Sequence, residues 1–208
     1  MISLGIDPSG SERRRSGLAV LDDDLRVYTW TAMTNEEIFQ AAREARPDVV
    51  AIDSPLSLPK GRCCANPLCP CAVHGIVRAA DRAVAKLGYH PFWTLLPSMV
   101  NLTLRSIRFK ERMEAEGLKV IEVYPGAAQD RLGMPRKKAG VDLLEEGLRG
   151  LGIRFRDPVR KRVHDEPIRR THDELDAVTA AYVGICYLQG RYEAAGPPDE
   201  IQIILPEA

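Results

Sequence analysis

Leu4-Gly5-Ile6-Asp7-Pro8-Ser9-Gly10 and Val49-Val50-Ala51-Ile52-Asp53-Ser54-Pro55 are built alike: an apolar run, an aspartate, then turn residues. Each predicts a short buried strand that ends in a carboxylate. In open α/β sheets, sites assemble at the C-terminal ends of the strands. A third acidic motif, Asp173-Glu174-Leu175-Asp176-Ala177-Val178, begins the last long helical pattern. Residues three apart on a helix share a face, so Asp173 and Asp176 look the same way. Three carboxylates drawn from distant parts of a chain are a donor set for divalent metal acting on phosphates.

Working outward from these runs, Leu18-Ala19-Val20-Leu21 and Val27-Tyr28-Thr29-Trp30 are two more apolar stretches, with Asp22-Asp23-Asp24 as the turn between them. They predict a hairpin or meander beside the first strand. Thr34-Asn35-Glu36-Glu37 signals a helix start, and Pro47 stops that helix. Residues 54–75 form a loop rich in Pro, Gly and Cys. Helices are expected over residues 76–87, 99–116, 127–132, 141–151 and 173–189, with Gly190 as the last C-cap. Residues 119–124 read as another buried strand, which contains Glu122. Residues 201–205 read as an edge strand or a docked tail. The resulting class is α/β: a mixed five-stranded sheet of order 3-2-1-4-5, with strand 2 antiparallel and helices on both faces. The first and fourth strands are then neighbours, which sets Asp7 beside Asp53.

The chain has 208 residues, of which 45% are hydrophobic, and a net charge of zero. One domain over residues 1–208, with the Cys-rich loop as an insertion, is the default for that length. No global charge argument favours a polyanionic partner. Local charge is less even. Ser11-Glu12-Arg13-Arg14-Arg15-Ser16 is basic, and residues 154–170 hold seven Arg or Lys against three acids. Both read as solvated loops or as phosphate contacts. No stretch has the apolar length of a membrane span, and the N-terminus lacks a signal-peptide core, so a cytoplasmic protein with no membrane partner is expected.

The acidic motifs also have plainer readings. Asp7-Pro8 and Asp53-Ser54 are ordinary strand-ending turns. Thr171 or Asp173 would serve as N-cap of the last helix, with Glu174 and Asp176 as first-turn acids. Asp176 differs, since it sits among Leu175, Ala177 and Val178, and a buried aspartate needs a partner or a metal.

Cys63, Cys64, Cys69 and Cys71 lie within nine residues, with His74 close behind. Zinc binding, disulfide pairing and free thiols are all open. Adjacent cysteines such as Cys63 and Cys64 seldom serve one ion, which counts against a four-cysteine centre. Cys186 falls on the apolar face of the last helix and reads as core. Arg78, Asp81 and Arg82 share a helix face, as an ion-pair network or as phosphate contacts. Trp93 and Tyr124 are packing residues by default, and base-stacking platforms otherwise.

Taken together, Gly5-Ile6-Asp7-Pro8-Ser9-Gly10, an acid on the fourth strand, and Asp-x-x-Asp on the last helix resemble the ribonuclease H-like superfamily, most closely its Holliday-junction resolvase branch. More narrowly, Ala51-Ile52-Asp53-Ser54-Pro55-Leu56, Leu96-Pro97-Ser98-Met99, Ile121-Glu122-Val123-Tyr124-Pro125-Gly126-Ala127 and Asp173-Glu174-Leu175-Asp176-Ala177 resemble the DUF429 family of predicted nucleases, over most of residues 1–205. The resemblance implies a ribonuclease H-like fold and a two-metal nuclease. Asp7, Asp53 and Asp176 would hold Mg²⁺ or Mn²⁺, with Asp173 or Glu122 as a fourth carboxylate, and nucleic acid would be the substrate. Ser9 and the backbone around Gly10 would hold a phosphate oxygen. This chain departs from that pattern in carrying Asp53 where resolvases carry Glu.

Two other classes fit the same motifs. A nucleotide-binding protein related to the actin-like ATPase fold shares the strand–Asp–Gly/Ser start. It needs two such halves, which this chain would supply only as a homodimer. A non-catalytic nucleic-acid-binding module would use the basic loops and the cysteines instead.

Overall fold

The computed structural model of the protein describes residues 1–156 and 170–207. Most of the basic stretch singled out above, residues 157–169, lies outside the described residues.

Three strands open the chain: β1 (Ile2–Asp7), β2 (Ser16–Asp22) and β3 (Arg26–Ala32). They form the expected antiparallel meander. Helix α1 (Asn35–Ala45) begins at Thr34, whose hydroxyl accepts from the Glu37 N–H while the Glu37 side chain caps in return. It leads to β4 (Val49–Ile52), which runs parallel to β1. After the Cys-rich loop come α2 (Ala79–Lys86), α3 (Val100–Ala115) and β5 (Val120–Val123), parallel to β4. Helices α4 (Pro125–Arg131) and α5 (Val141–Gly150) precede a two-residue strand, β6 (Arg154–Phe155). The long helix α6 (His172–Leu188) is followed by β7 (Tyr192–Ala195) and β8 (Ile203–Pro206).

The sheet order is β6-β3-β2-β1-β4-β5-β8-β7. The expected 3-2-1-4-5 centre is present, with strand 2 antiparallel, but among the described residues the sheet has eight strands rather than five. Each addition has a local reason for escaping the pattern. β6 is two residues pairing with Arg26 and Val27, too short for any periodicity. β7 carries a glutamate and lies close after a helix, so no apolar run marks it. The 201–205 tail is an inner strand: β8 pairs with β5 on one side and is covered by β7 on the other. Pro125 opens α4 at its first turn instead of merely ending β5.

Alternation along the strands divides the core between two faces. Leu4, Ile6, Leu18, Val50 and Ile52 pack with Ile38, Phe39 and Phe109 from α1 and α3. On the other face, Ala19 and Leu21 meet Leu175 and Val178 of α6, while Val49 and Ala51 meet Ala180 and Val183. Helix α6 is therefore apolar nearly all round, as a helix buried against a sheet centre must be.

Candidate active site

Asp7 and Asp53 leave neighbouring strands at the same level. The parallel register pairs Ile6 with Ile52. The Asp53 N–H then donates to the Ile6 carbonyl at 2.9 Å, carrying the ladder one step past the strand end. Both side chains fall on the α6 face, because Leu4, Ile6, Val50 and Ile52 point the other way.

Asp176 arrives from above, on a helix that lies unusually close to the sheet. A Cβ on Gly5 would stand 1.9 Å from the Ala177 carbonyl oxygen, and one on Gly17 would stand 2.0 Å from that of Asp173. Only glycine at these two strand positions lets the α6 backbone rest on β1 and β2. Asp176 is only 3% exposed. Its Oδ1 accepts from Gln129 Nε2 at 2.9 Å, and the same amide donates to Thr179 Oγ1 at 3.2 Å. Carboxylate oxygens of Asp7, Asp53 and Asp176 all come within 4.8 Å of one another. Oxygen ligands stand about 2.0–2.6 Å from Mg²⁺ or Ca²⁺, so oxygens of one shell are separated by at most about 5 Å. The three carboxylates fit a divalent ion by that measure.

The other candidates lie elsewhere. Asp173 is half-buried one turn earlier, outside this converging group of three. Glu174 completes a capping box with Thr171 and accepts from Thr29 Oγ1 at 3.1 Å, so its role is the plainer one. Glu122 is paired with Ile52, not with Asp53, and so projects from the opposite face of the sheet. There it receives Arg78 through two hydrogen bonds, of 2.6 and 2.5 Å, and the Leu56 N–H at 2.8 Å. Burial pushes its carboxyl up, against the pull of the Arg78 guanidinium. Ser9 holds its own loop: its hydroxyl lies 2.8 Å from the Ser11 carbonyl and 2.9 Å from that of Arg14. Gly10 abuts the start of α3, where a Cβ would lie 3.5 Å from the Leu102 nitrogen.

Arg78 and Asp81 form the ion-pair network that their shared helix face suggested. Arg78 also donates to Asp81 at 2.7 Å, and Asp81 accepts from Thr94 Oγ1 at 2.7 Å. Arg82 stays outside it and donates to the Val77 carbonyl. Sequence reasoning missed two residues. Gln129 was hidden in a short helix whose apolar pattern is too brief to mark a buried polar position. Arg105 is 8% exposed and ties the loop after β1 together, donating to the Ser9 carbonyl at 2.6 Å and to Asn35 Oδ1 at 2.8 Å. The spacing that puts it one turn before Phe109 and Met113, on the buried stripe of α3, was the signal that could have found it.

The converging aspartates open into a cavity of about 640 Å³. Phe92, Tyr124, Arg136 and Lys138 line it as well. Arg136 donates to Asp130 at 2.6 Å, and that pair holds the Asp130 carboxyl below the usual carboxylate range. Trp93 is half-buried and outside the cavity lining. The four clustered cysteines are all free of disulfides and their sulfurs lie close together; Cys186 is buried, as expected. Among the described residues, no helix is long and apolar enough to cross a membrane.

No family model and no curated protein matches the chain. The DUF429 resemblance therefore rests on the motifs quoted above alone. Among solved structures, T. thermophilus RuvC in complex with a Holliday junction substrate is similar, with a TM-score of 0.48 and 14% identity, over 91% of this chain and 96% of that one.

Proposed function

We propose that this protein is a divalent-metal-dependent nuclease that hydrolyses phosphodiester bonds in nucleic acid. The observation that carries this reading is the convergence of Asp7, Asp53 and Asp176 within 4.8 Å at the C-terminal ends of two parallel strands. These three would hold Mg²⁺ or Mn²⁺, since clustered carboxylates suit hard cations. Bound there, the metal would supply an activated water and neutralise charge at the phosphate.

The chain's own residues do the rest. Gln129 donates to one oxygen of Asp176 and so fixes the direction in which the other points. Lys138 puts positive charge on the cavity wall, beside the Arg136–Asp130 pair, where a phosphate backbone would lie. Phe92, 73% exposed, and Tyr124 offer planar faces for an unstacked base. Glu122, engaged with Arg78, supports the loop after Asp53 through the Leu56 N–H. The strand order and directions also agree with the ribonuclease H-like resemblance.

The test is cleavage of single-stranded, duplex, hybrid and branched nucleic acids with Mg²⁺ or Mn²⁺, wild type against Asp7→Asn. Cleavage that needs the metal and vanishes in the variant supports the proposal and ranks the substrates. A folded wild type that cuts none of them at any metal concentration would sink it.

A further inference from the structure

The cysteine loop is not absorbed by the acidic site. It runs from Asp53, just past the end of β4, to Arg78, the N-cap of α2. From residue 60 to residue 77 no residue is buried. Leu68 and Val73 are 90% and 84% exposed. The segment therefore has no hydrophobic core of its own. Small units without a core are held by disulfides or a metal.

Yet the four thiols are gathered. Cys63 Sγ lies 3.7 Å from Cys69 Sγ and 3.4 Å from Cys71 Sγ, and Cys64 Sγ lies 3.9 Å from Cys71 Sγ. All four sulfurs fall within 4.8 Å of one another. A disulfide needs about 2.05 Å between sulfurs. Four thiolates about 2.3 Å from a tetrahedral zinc stand about 3.8 Å apart, close to the three separations just given. We propose that Cys63, Cys64, Cys69 and Cys71 bind one structural zinc ion, which staples the segment between Asp53 and Arg78.

The backbone is arranged for this. Asn66 Oδ1 accepts from the Leu68 N–H at 2.9 Å, and the Asn66 carbonyl accepts from the Cys69 N–H at 3.3 Å, so the chain reverses between the two cysteine pairs. A 3-10 helix, Pro70–His74, starts just after Cys69 and turns Cys71 back toward Cys63 and Cys64. That reversal overcomes the obstacle of adjacent ligands: Cys63 and Cys64 both reach the same centre because the second pair folds over them. Arg62 donates to the carbonyls of Cys64 and Asn66 at 3.0 and 3.3 Å, bringing positive charge to a centre whose four thiolates outweigh a dication. His74 is placed otherwise: its ring packs so closely on Gly61 that a Cβ there would lie 2.5 Å from Nδ1.

The experiment is metal analysis of the full chain purified under reducing conditions, then reconstitution with zinc chloride after any metal is stripped. One zinc per chain is expected, released by a mercurial that blocks thiols. Cys63→Ser and Cys71→Ser should lower the content at least tenfold. Asp7→Asn should leave it unchanged, so this site and the nuclease reading fail separately. If the cysteine variants do not fold, cobalt titration of the wild type decides: thiolate charge-transfer and tetrahedral d–d bands, saturating at one ion, are expected. A folded wild type that takes up no zinc on reconstitution, or that holds iron in its place, overturns the proposal.

Discussion

Asp7, Asp53 and Asp176 converge on one another on the α6 face of the sheet, whereas Glu122 and Asp81, lining the same cavity, converge on Arg78. Asp53 and Glu122 come from adjacent strands and differ by one step of register. That step is enough to send one carboxylate toward Asp7 and the other toward a guanidinium on the far face. A buried carboxylate that meets an arginine in bidentate geometry has its charge and lone pairs committed to the fold. Carboxylates that meet each other are arranged for something cationic. The difference separates residues proposed to act from residues that hold the walls.

The largest effect should come from the first group. Asp7→Asn should reduce metal-dependent cleavage by on the order of 10⁴-fold, as loss of a catalytic group commonly does. It should also stay folded without metal, because asparagine keeps the shape of the side chain. Added Mn²⁺ should raise the melting temperature of the wild type and not of the variant. A variant that loses activity only because it unfolds would erase the contrast between the two groups.

Arg78→Met should behave the opposite way. It leaves Glu122 and Asp81, 3% and 1% exposed, without their cation. Breaking a buried ion pair from one side costs about 3–5 kcal/mol. Urea unfolding should show that loss, while the folded fraction keeps its cleavage rate. Unchanged stability would mean that the network contributes little and that Arg78 belongs with the substrate.

Much of this was legible in the sequence, for identifiable reasons. The runs ending at Asp7 and Asp53 are continuous and apolar, and short parallel strands buried on both faces look like that. Asp176 stood out because its neighbours are all apolar. What escaped notice depends on register and on distance. Glu122 looks as good as Asp53 in the sequence, since only the pairing with Ile52 assigns its face. Gln129 lies 47 residues from the aspartate it orients, and Arg105 lies 96 from the serine it holds. Hydrophobic periodicity carries no information about such partners. The edge strands β6 and β7 escaped because pairing with neighbours, not an apolar pattern, makes them strands.

Gln129→Leu sharpens the comparison at its boundary. Gln129 would touch neither substrate nor metal, but it donates to Asp176. Groups that orient metal-binding carboxylates are worth about 10–100-fold in affinity or activity. The expected loss is of that size, and excess Mn²⁺ should reverse most of it, because a misdirected ligand weakens affinity before chemistry. A loss that no amount of metal restores would place Gln129 with the reacting groups.

Glu122→Gln should have the smallest effect on stability, with little on cleavage, and tests the comparison most directly. The amide oxygen can still accept from Arg78 and the Leu56 N–H on one side. On the other, an NH₂ would face the Arg78 guanidinium, donor against donor. Leaving a buried donor unsatisfied costs about 1–3 kcal/mol, so stability should fall by that amount. Cleavage per folded molecule should stay within a few-fold of wild type, since the side chain points to the face away from Asp7 and Asp53. The reverse result, cleavage abolished with stability kept, would make Glu122 the fourth carboxylate of the site. The sheet face on which a carboxylate lies would then no longer separate the two groups.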